Sequence, residues 1–135
     1  MEALRNVPLF AGFSDDDLER LARQMKERRF TAGSTVTSEG AGGAGFFVII
    51  EGNARVSVSD EERAQLGPGD HFGEIALIDE GMRSATITAD TELLCYGMTA
   101  WEFRPFVEEH PEVAWVMLQT LARRLREAQA HEHTH

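Results

Sequence analysis

The chain has 135 residues, a length typical of one domain, and its formal net charge is −10 at pH 7. The excess of carboxylates argues against nucleic-acid binding, because affinity for a phosphate backbone comes from clustered Lys and Arg side chains. Apolar residues make up 42% of the sequence and include eight Phe and two Trp, a composition that excludes a disordered chain.

The first predicted element is an amphipathic helix that begins after Ser14. Its apolar stripe recurs at helical spacing and consists of Leu18, Leu21, Ala22 and Met25. Ser14 can cap the free amides of the first turn, and the carboxylates at 15–17 favour the positive end of the helix. We therefore interpret the acidic run as a helix start and not as a metal site.

Short runs rich in Val, Ile, Thr and Phe, separated by glycines, follow between Phe30 and Met98. The predicted strands contain Val36 and residues 46–50, 55–58, 85–89 and 93–96. The glycine-rich segment 41–45 precedes a strand and lacks the Lys-Ser or Lys-Thr of a phosphate loop, so it is predicted to be a hairpin loop. Several short strands with such turns favour an antiparallel sandwich or jelly roll.

Helical spacing returns after Met98, and Pro111 divides this region into two predicted helices. The second helix, from Glu112 to about Ala130, carries two apolar stripes. One stripe contains Ala114, Leu118, Leu121, Leu125 and Ala128, and the other contains Val113, Val116, Met117 and Thr120. One stripe can pack on the β domain, which leaves the other for a second subunit or a lid over a ligand; a single wide core-facing stripe is the alternative.

Residues 72–86 combine a glycine, a carboxylate and an arginine within fifteen positions. Gly73 allows a close backbone approach, and a helix that begins near Glu74 would direct free N–H groups at an anion. The guanidinium of Arg83 suits phosphate oxygens, whereas a carboxylate can only accept hydrogen bonds and suits a ribose hydroxyl. The segment therefore predicts a nucleotide site.

The runs Phe72–Leu77 and Arg83–Thr86 resemble the phosphate-binding cassette of cyclic nucleotide-binding domains. The resemblance extends to VPLFAGFS at 7–14, to the Gly67–Asp70 turn and to residues 110–125. It implies a mainly β fold with flanking α elements: an antiparallel β-roll of the jelly-roll type with an N-terminal helix, a short cassette helix and C-terminal helices. It covers residues 1–130, and we expect the His-containing tail at 131–135 to be disordered.

The resemblance also implies the roles of individual residues. The ribose and cyclic phosphate would be held by the cassette residues, with Arg83 neutralising the phosphate; the implied binding residues are Gly73, Glu74, Ile75, Ala76, Arg83, Ser84 and Ala85. Arg124 is a secondary candidate, because residues 122–125 resemble the long helix of the catabolite-activator regulators. Ala128 and Gln129 replace the polar residues that contact adenine in those regulators, and serine at position 84 favours cyclic AMP over cyclic GMP.

No catalytic or metal-binding pattern accompanies the cassette. His71 and Glu74 are three residues apart without a His-x-His pair, and Cys95 lies in an apolar run that predicts a buried, inert thiol. We therefore expect no enzymatic activity, no metal and no cofactor apart from the cyclic nucleotide ligand. The alternative hypotheses are a nucleotide-independent dimerisation or docking module with the same fold, and a cupin-like metal protein.

The predicted function is a ligand sensor in which nucleotide binding orders the cassette and repositions the C-terminal helices. The expected partners are the cyclic nucleotide, a downstream effector that the sequence does not identify, and a second copy bound through the C-terminal helix. No apolar run approaches the ~20 residues of a membrane span, and neither a secretory signal nor a disulfide pattern is present. A cytoplasmic location is expected.

Overall fold

A computed structural model describes residues 2–37, 45–73 and 86–133. The described helices are α1 (Glu2–Arg5), α2 (Asp15–Gln24), α3 (Ala100–Glu109) and α4 (Pro111–His133), with a 3-10 turn at Pro8–Phe10. The strands are β1 (Lys26–Phe30), β2 (Thr35–Thr37), β3 (Gly45–Glu51), β4 (Ala54–Val58), β5 (Glu61–Leu66), β6 (His71–Phe72), β7 (Thr86–Ala89) and β8 (Leu93–Thr99). The mainly β fold with flanking helices is confirmed. Residues 41–44 of the predicted hairpin loop at 41–45, and the predicted cassette helix, lie outside the described residues. Gly45, the last residue of that predicted loop, is the first residue of β3.

The strands form two antiparallel sheets. The first sheet has the order β1-β8-β3-β6, and the second has the order β2-β7-β4-β5. Strands that follow one another in the chain therefore alternate between sheets except at the β4–β5 hairpin, an arrangement typical of a jelly roll. Ser59 and Asp60, both with positive φ, form the tight turn of that hairpin.

Helix α2 begins as the sequence predicts. The Ser14 side chain accepts a hydrogen bond from the Asp17 backbone N–H at 3.2 Å, while the Asp17 carboxylate accepts one from the Ser14 N–H at 3.4 Å. This reciprocal pair satisfies two backbone donors that the first turn would otherwise leave open. Leu18 and Leu21 are buried on the inner face of the helix.

Strand β3 is buried on both faces, which explains its continuous apolar run. Phe46 and Val48 face a group of buried residues that we call the helix-side cluster: Leu4, Val7, Leu9, Phe10, Leu18, Leu21, Met25, Phe46, Val48, Met98, Phe103, Phe106, Val113 and Met117. Ile49 faces the opposite way, into the roll cluster of Ile49, Ala54, Leu66, Phe72, Ile87, Ala89, Leu93 and Cys95. The first sheet therefore separates two cores.

The predicted strands leave out β1, β5 and the two-residue β6. Four of the five residues of β1 and five of the six residues of β5 are exposed, so neither strand shows an apolar alternation. Each lies at the edge of its sheet, where charged side chains discourage pairing with another chain. Their pairing with β8 and β4 is fixed by the neighbouring strand and not by local hydrophobicity.

The two C-terminal helices break at His110, as predicted from Pro111. Of the two stripes on α4, the one with Val113 and Met117 is buried in the helix-side cluster. In the other stripe, Leu118 is 58% exposed and Leu125 is 59% exposed, which argues against a single wide core-facing stripe. Trp101, the second residue of α3, is also exposed.

Candidate functional site

The predicted cassette starts at the end of strand β6. This strand is two residues long and pairs with β3, placing His71 opposite Val48 and Phe72 opposite Phe47. The Phe72 ring stacks on Phe47 with centroids 5.3 Å apart. Gly73 follows with φ of +97°, a left-handed conformation that glycine adopts without strain. The first residue of the predicted site therefore has the backbone geometry for which glycine is suited.

Hydrogen bonds connect the turn before β6, residues 67–70, to β3. Within the turn, the Asp70 carboxylate accepts a hydrogen bond from the Gly67 N–H at 2.8 Å. The Gly69 N–H donates to the Ile49 carbonyl, and the Ile49 N–H donates to the Asp70 carbonyl, both at 2.8 Å. The two bonds to Ile49 hold the entry to the cassette against β3, an inner strand of the first sheet.

The cassette leads from the first sheet to the second. Residues 74–85 connect β6 to β7, which pairs with β2 and β4. Six of the predicted binding residues lie outside the described part of the chain: Glu74, Ile75, Ala76, Arg83, Ser84 and Ala85. Their assignments remain predictions. The strand at the exit is well anchored, because Ile87 and Ala89 are buried in the roll cluster.

Arg124 of α4 contacts the backbone at the entry to the cassette. Its Nη2 group donates to the His71 carbonyl at 3.2 Å, two residues before Gly73. The structure thus brings two predicted site residues, Gly73 and Arg124, into the same neighbourhood. The sequence did not predict the His71 carbonyl as a partner, because 53 positions separate the two residues and a backbone acceptor leaves no signature in residue type.

His71 is the first residue of strand β6. It is 5% exposed, and its ring lies 5.6 Å from the Phe46 ring, between centroids. Among residues 2–37, 45–73 and 86–133, no group of three or more His, Cys, Asp or Glu side chains is arranged to hold a metal ion. Glu74, the carboxylate weighed in the metal hypothesis, lies outside these ranges.

Cys95 is buried in the roll cluster, as its sequence context predicts. Burial raises the pKa of the thiol to about 12, because an apolar environment disfavours the thiolate. The thiol is therefore uncharged at neutral pH, and it has little of the nucleophilic character of a catalytic cysteine.

Within the described part of the chain, no helix is long and apolar enough to cross a membrane.

Comparison with known proteins connects this architecture to a family. The sequence profile of the "Cyclic nucleotide-binding domain" matches residues 27–110, which is more than half of the chain. The CRP-like cAMP-activated global transcriptional regulator of Mycobacterium tuberculosis is 30% identical over 130 residues, which are 93% of this chain and 58% of that regulator. The chain thus spans a little over half the length of this curated relative.

Two solved structures share the fold. The crystal structure of the Thermus thermophilus catabolite activator protein is similar with a TM-score of 0.81 and 30% identity, covering 94% of this chain and 62% of that one. A co-crystal structure of the regulatory domain of Toxoplasma gondii PKA with cAMP has a TM-score of 0.80 at 22% identity, covering 90% of this chain and 48% of that one. These likenesses confirm the predicted β-roll with flanking helices. On the family match and the shared topology, the chain belongs to the cyclic nucleotide-binding domain family.

Proposed function

We propose that this domain binds a 3′,5′-cyclic nucleotide, with cyclic AMP preferred over cyclic GMP, and acts as a regulatory sensor without catalytic activity. The observation that carries the proposal is the left-handed Gly73 at the end of the clamped strand β6, where the cassette sequence begins. The family match includes the whole cassette, residues 72–86. The regulator from Mycobacterium tuberculosis is described as cAMP-activated, which supports the same ligand for this chain.

In this proposal the ligand is held by local donors, because the net charge of −10 repels an anion at long range. The backbone amides after Gly73, in residues Glu74 to Ala76, bind the phosphate together with Arg83, Ser84 and Ala85. The Glu74 carboxylate accepts from the ribose hydroxyl. Arg124 supports the entry of the cassette through the His71 carbonyl. Serine at position 84 is the basis of the cyclic AMP preference.

Calorimetric titration with cyclic AMP and cyclic GMP tests the site. Replacing Arg83 with Ala removes a charged hydrogen bond, and we expect the affinity to fall about 10- to 150-fold, which corresponds to ~1.5–3 kcal/mol. Arg63→Ala is the matched control, because Arg63 is an exposed arginine on β5 that pairs with Glu61 at 3.7 Å. The Arg63→Ala variant should bind cyclic AMP with the same affinity as the wild type.

Each outcome of this titration separates one hypothesis from another. Binding of neither nucleotide by the wild-type protein would refute the sensor and favour the docking module. Equal affinities, or tighter binding of cyclic GMP, would contradict the cyclic AMP preference while the site itself stands. A stoichiometric metal in protein purified without residues 131–135 would favour the cupin-like alternative.

We infer that binding repositions α4. A ligand shifts only an element with which it interacts differently in two states, and α4 meets the cassette entry through Arg124 and joins α3 at the break at His110. Hydrogen exchange should therefore change between residues 100 and 130 when nucleotide saturates the protein. Unchanged protection there would refute the helix movement but not the binding.

A homodimer through α4 is the proposed assembly. The support is the exposed stripe of Leu118 and Leu125, which leaves a helix face uncovered in one copy. Leu118→Glu should convert a dimer to a monomer in sedimentation equilibrium, whereas Gln119→Glu places the same charge at an exposed neighbouring position and should not. A wild-type protein that sediments as a monomer with and without nucleotide would refute this assembly.

A further inference from the structure

A row of neighbouring residues crosses the first sheet and ends at the cassette. Gly97 of β8 lies opposite Phe47 of β3, and Phe47 lies opposite Phe72 of β6. Phe72 directly precedes Gly73, the first of the predicted binding residues. Three strands therefore supply one line of contacts between the inside of the sheet and the predicted nucleotide site.

The Phe47 ring packs against two other aromatic rings of the roll. It stacks on Phe72 at an interplanar angle of 24°, and the Phe30 ring meets it nearly at a right angle, with centroids 6.4 Å apart. Phe47 is only partly buried, but it packs against the roll cluster. Because protein interiors are close-packed, a shift of this ring displaces the rings that it touches.

Two glycines leave the space that the Phe47 ring fills. A Cβ atom on Gly97 would lie 2.7 Å from Cδ1 and Cε1 of the ring. A Cβ atom on Gly45 would lie 3.2 Å from Cε2 and Cζ of the same ring, and equally far from the Met98 carbonyl oxygen. Non-bonded carbon atoms prefer a separation of about 3.5–4.0 Å, so a methyl group at position 97 forces the ring to move. Neither glycine has φ in the left-handed region, so these positions require the missing side chain and not an unusual backbone conformation.

The Phe72 side chain anchors the start of the cassette. It is 4% exposed, and the short strand β6 ends with this residue. Gly73 has no side chain with which to pack, so the direction of its backbone follows from the residue before it. We propose that Phe47, seated over Gly97, is a positioning residue that fixes Phe72 and thereby the backbone at Gly73.

The positioning role rests on the proposed function, in which the backbone amides after Gly73 bind the phosphate. Such donors bind well only when they are held within about 0.5 Å of the productive geometry. Neither Gly97 nor Phe47 is assigned a contact with the ligand, so their effect on affinity passes through Phe72. Crowding at position 97 should therefore weaken nucleotide binding.

The first experiment needs no nucleotide, so its result does not depend on the proposed site. The full chain and Gly97→Ala are compared by two-dimensional amide NMR, and we expect the Gly73 resonance to shift in the variant. Gly12→Ala is the matched control, because the nearest atom to a Cβ there, outside the adjoining residues, is Cγ of Glu112 at 4.0 Å. The Gly73 resonance of the control should coincide with that of the wild type. An unshifted Gly73 resonance in Gly97→Ala would overturn the positioning role.

Titration with cyclic AMP then measures the effect on the site. Gly97→Ala should raise Kd about tenfold, whereas Gly12→Ala should leave it unchanged. Phe47→Leu should also raise Kd, because Phe72 loses its stacking partner. In the Phe47→Leu background the methyl group at position 97 has room, so adding Gly97→Ala should change Kd less than about twofold. The same factor for Gly97→Ala in both backgrounds would show that the effect does not pass through the ring.

Gly52→Ala separates positioning from a general loss of stability. Gly52 lies in the turn at the other end of β3, where φ is +94° and a Cβ would lie 2.2 Å from the Glu92 carbonyl oxygen. This variant should lower Tm at least as much as Gly97→Ala, yet it should leave Kd unchanged at a temperature where both variants are folded. An equal rise in Kd in the two variants would overturn the positioning role, since affinity would then follow stability alone.

Gly45→Ala keeps the proposal testable if Gly97→Ala fails to fold. Its Cβ approaches the Phe47 ring less closely, so the Gly73 resonance should shift less and Kd should rise about threefold. An unchanged resonance and an unchanged Kd in Gly45→Ala would then overturn the positioning role. Absence of cyclic AMP binding by the wild type would refute the proposed function, and the NMR comparison would still decide whether Phe47 positions Gly73.

Discussion

The helix-side cluster and the roll cluster are built from different parts of the chain, although they share the first sheet. The helix-side cluster draws together α1, α2, α3 and α4, so it depends on contacts between the two ends of the sequence. The roll cluster is made entirely of strand residues between Ile49 and Cys95. Strands β3 and β8 supply side chains to both.

This division shows how helix α4 and the predicted cassette can be connected through one sheet. Phe46 and Ile49 are three residues apart on β3, yet their side chains enter different cores, because successive side chains of a strand point to opposite faces. Close-packed interiors transmit small displacements. A movement of α4 on one face can therefore alter the packing around Phe72, next to the cassette, on the other.

The strongest test of the two-core arrangement is to truncate one β3 side chain that is buried in each core. Phe46→Ala should reduce the free energy of unfolding by about 3–5 kcal/mol, and Ile49→Ala by about 2–5 kcal/mol. Phe46→Ala should reduce the hydrogen-exchange protection of α3, because the ring centroids of Phe46 and Phe103 are 5.1 Å apart. Ile49→Ala should deprotect β4 and β7 instead. Identical exchange patterns would show that the clusters unfold as one core.

A second test acts on the roll alone, at the turn between β3 and β4. Gly52 has φ of +94°, and a Cβ there would lie 2.2 Å from the Glu92 carbonyl oxygen. Gly33 has φ of +87° with no atom within 4 Å of the added Cβ, so Gly33→Ala measures the backbone strain by itself, about 1–2 kcal/mol. Gly52→Ala should cost a further ~1–3 kcal/mol for the collision. If denaturant titrations show the same loss of unfolding free energy for Gly33→Ala and Gly52→Ala, the collision at Gly52 is contradicted.

A third test acts on the helix side alone. Ser14→Ala removes the cap of α2 and should reduce the free energy of unfolding by about 1 kcal/mol. Ser14 also lowers the pKa of Asp17 through its hydrogen bonds. The stabilisation from that carboxylate is complete above its ordinary pKa of 3.8 and is lost as the pH falls through the lower folded value. The difference in the free energy of unfolding between the wild type and Ser14→Ala should therefore become smaller in acid. A difference that does not change with pH would argue against a contribution from the Asp17 carboxylate.

The smallest perturbation is a chemical probe that leaves the sequence intact. Cys95 lies in the roll cluster, and burial raises its pKa to about 12, so the folded protein should not react with a disulfide reagent at pH 8. Ile49→Ala should make the thiol reactive by loosening its surroundings, whereas Phe46→Ala should change its reactivity much less. Rapid modification of the wild-type thiol would contradict the tight packing of the roll cluster.

The sequence determined the local elements wherever the signal is carried by neighbouring residues. Ser14 with Asp17 defines a helix start, Pro111 separates two helices, and the apolar runs of β3 and β8 identify strands. The cassette motif identified the family for the same reason, since its residue types lie within fifteen positions. Residues 74–85 nevertheless lie outside the described structure, so the roles of Arg83 and Glu74 remain predictions.

Only the tertiary structure decided the features that depend on distant parts of the chain. Strands β1 and β5 carry mainly exposed, polar side chains and are held in place by β8 and β4, so no local pattern could identify them. The choice of buried stripe on α4 and the contact of Arg124 with the His71 carbonyl both require the folded arrangement of helix and sheet. The physical reason is the same in each case: burial and backbone hydrogen bonds across long sequence separations are properties of packing, and residue type encodes them only indirectly.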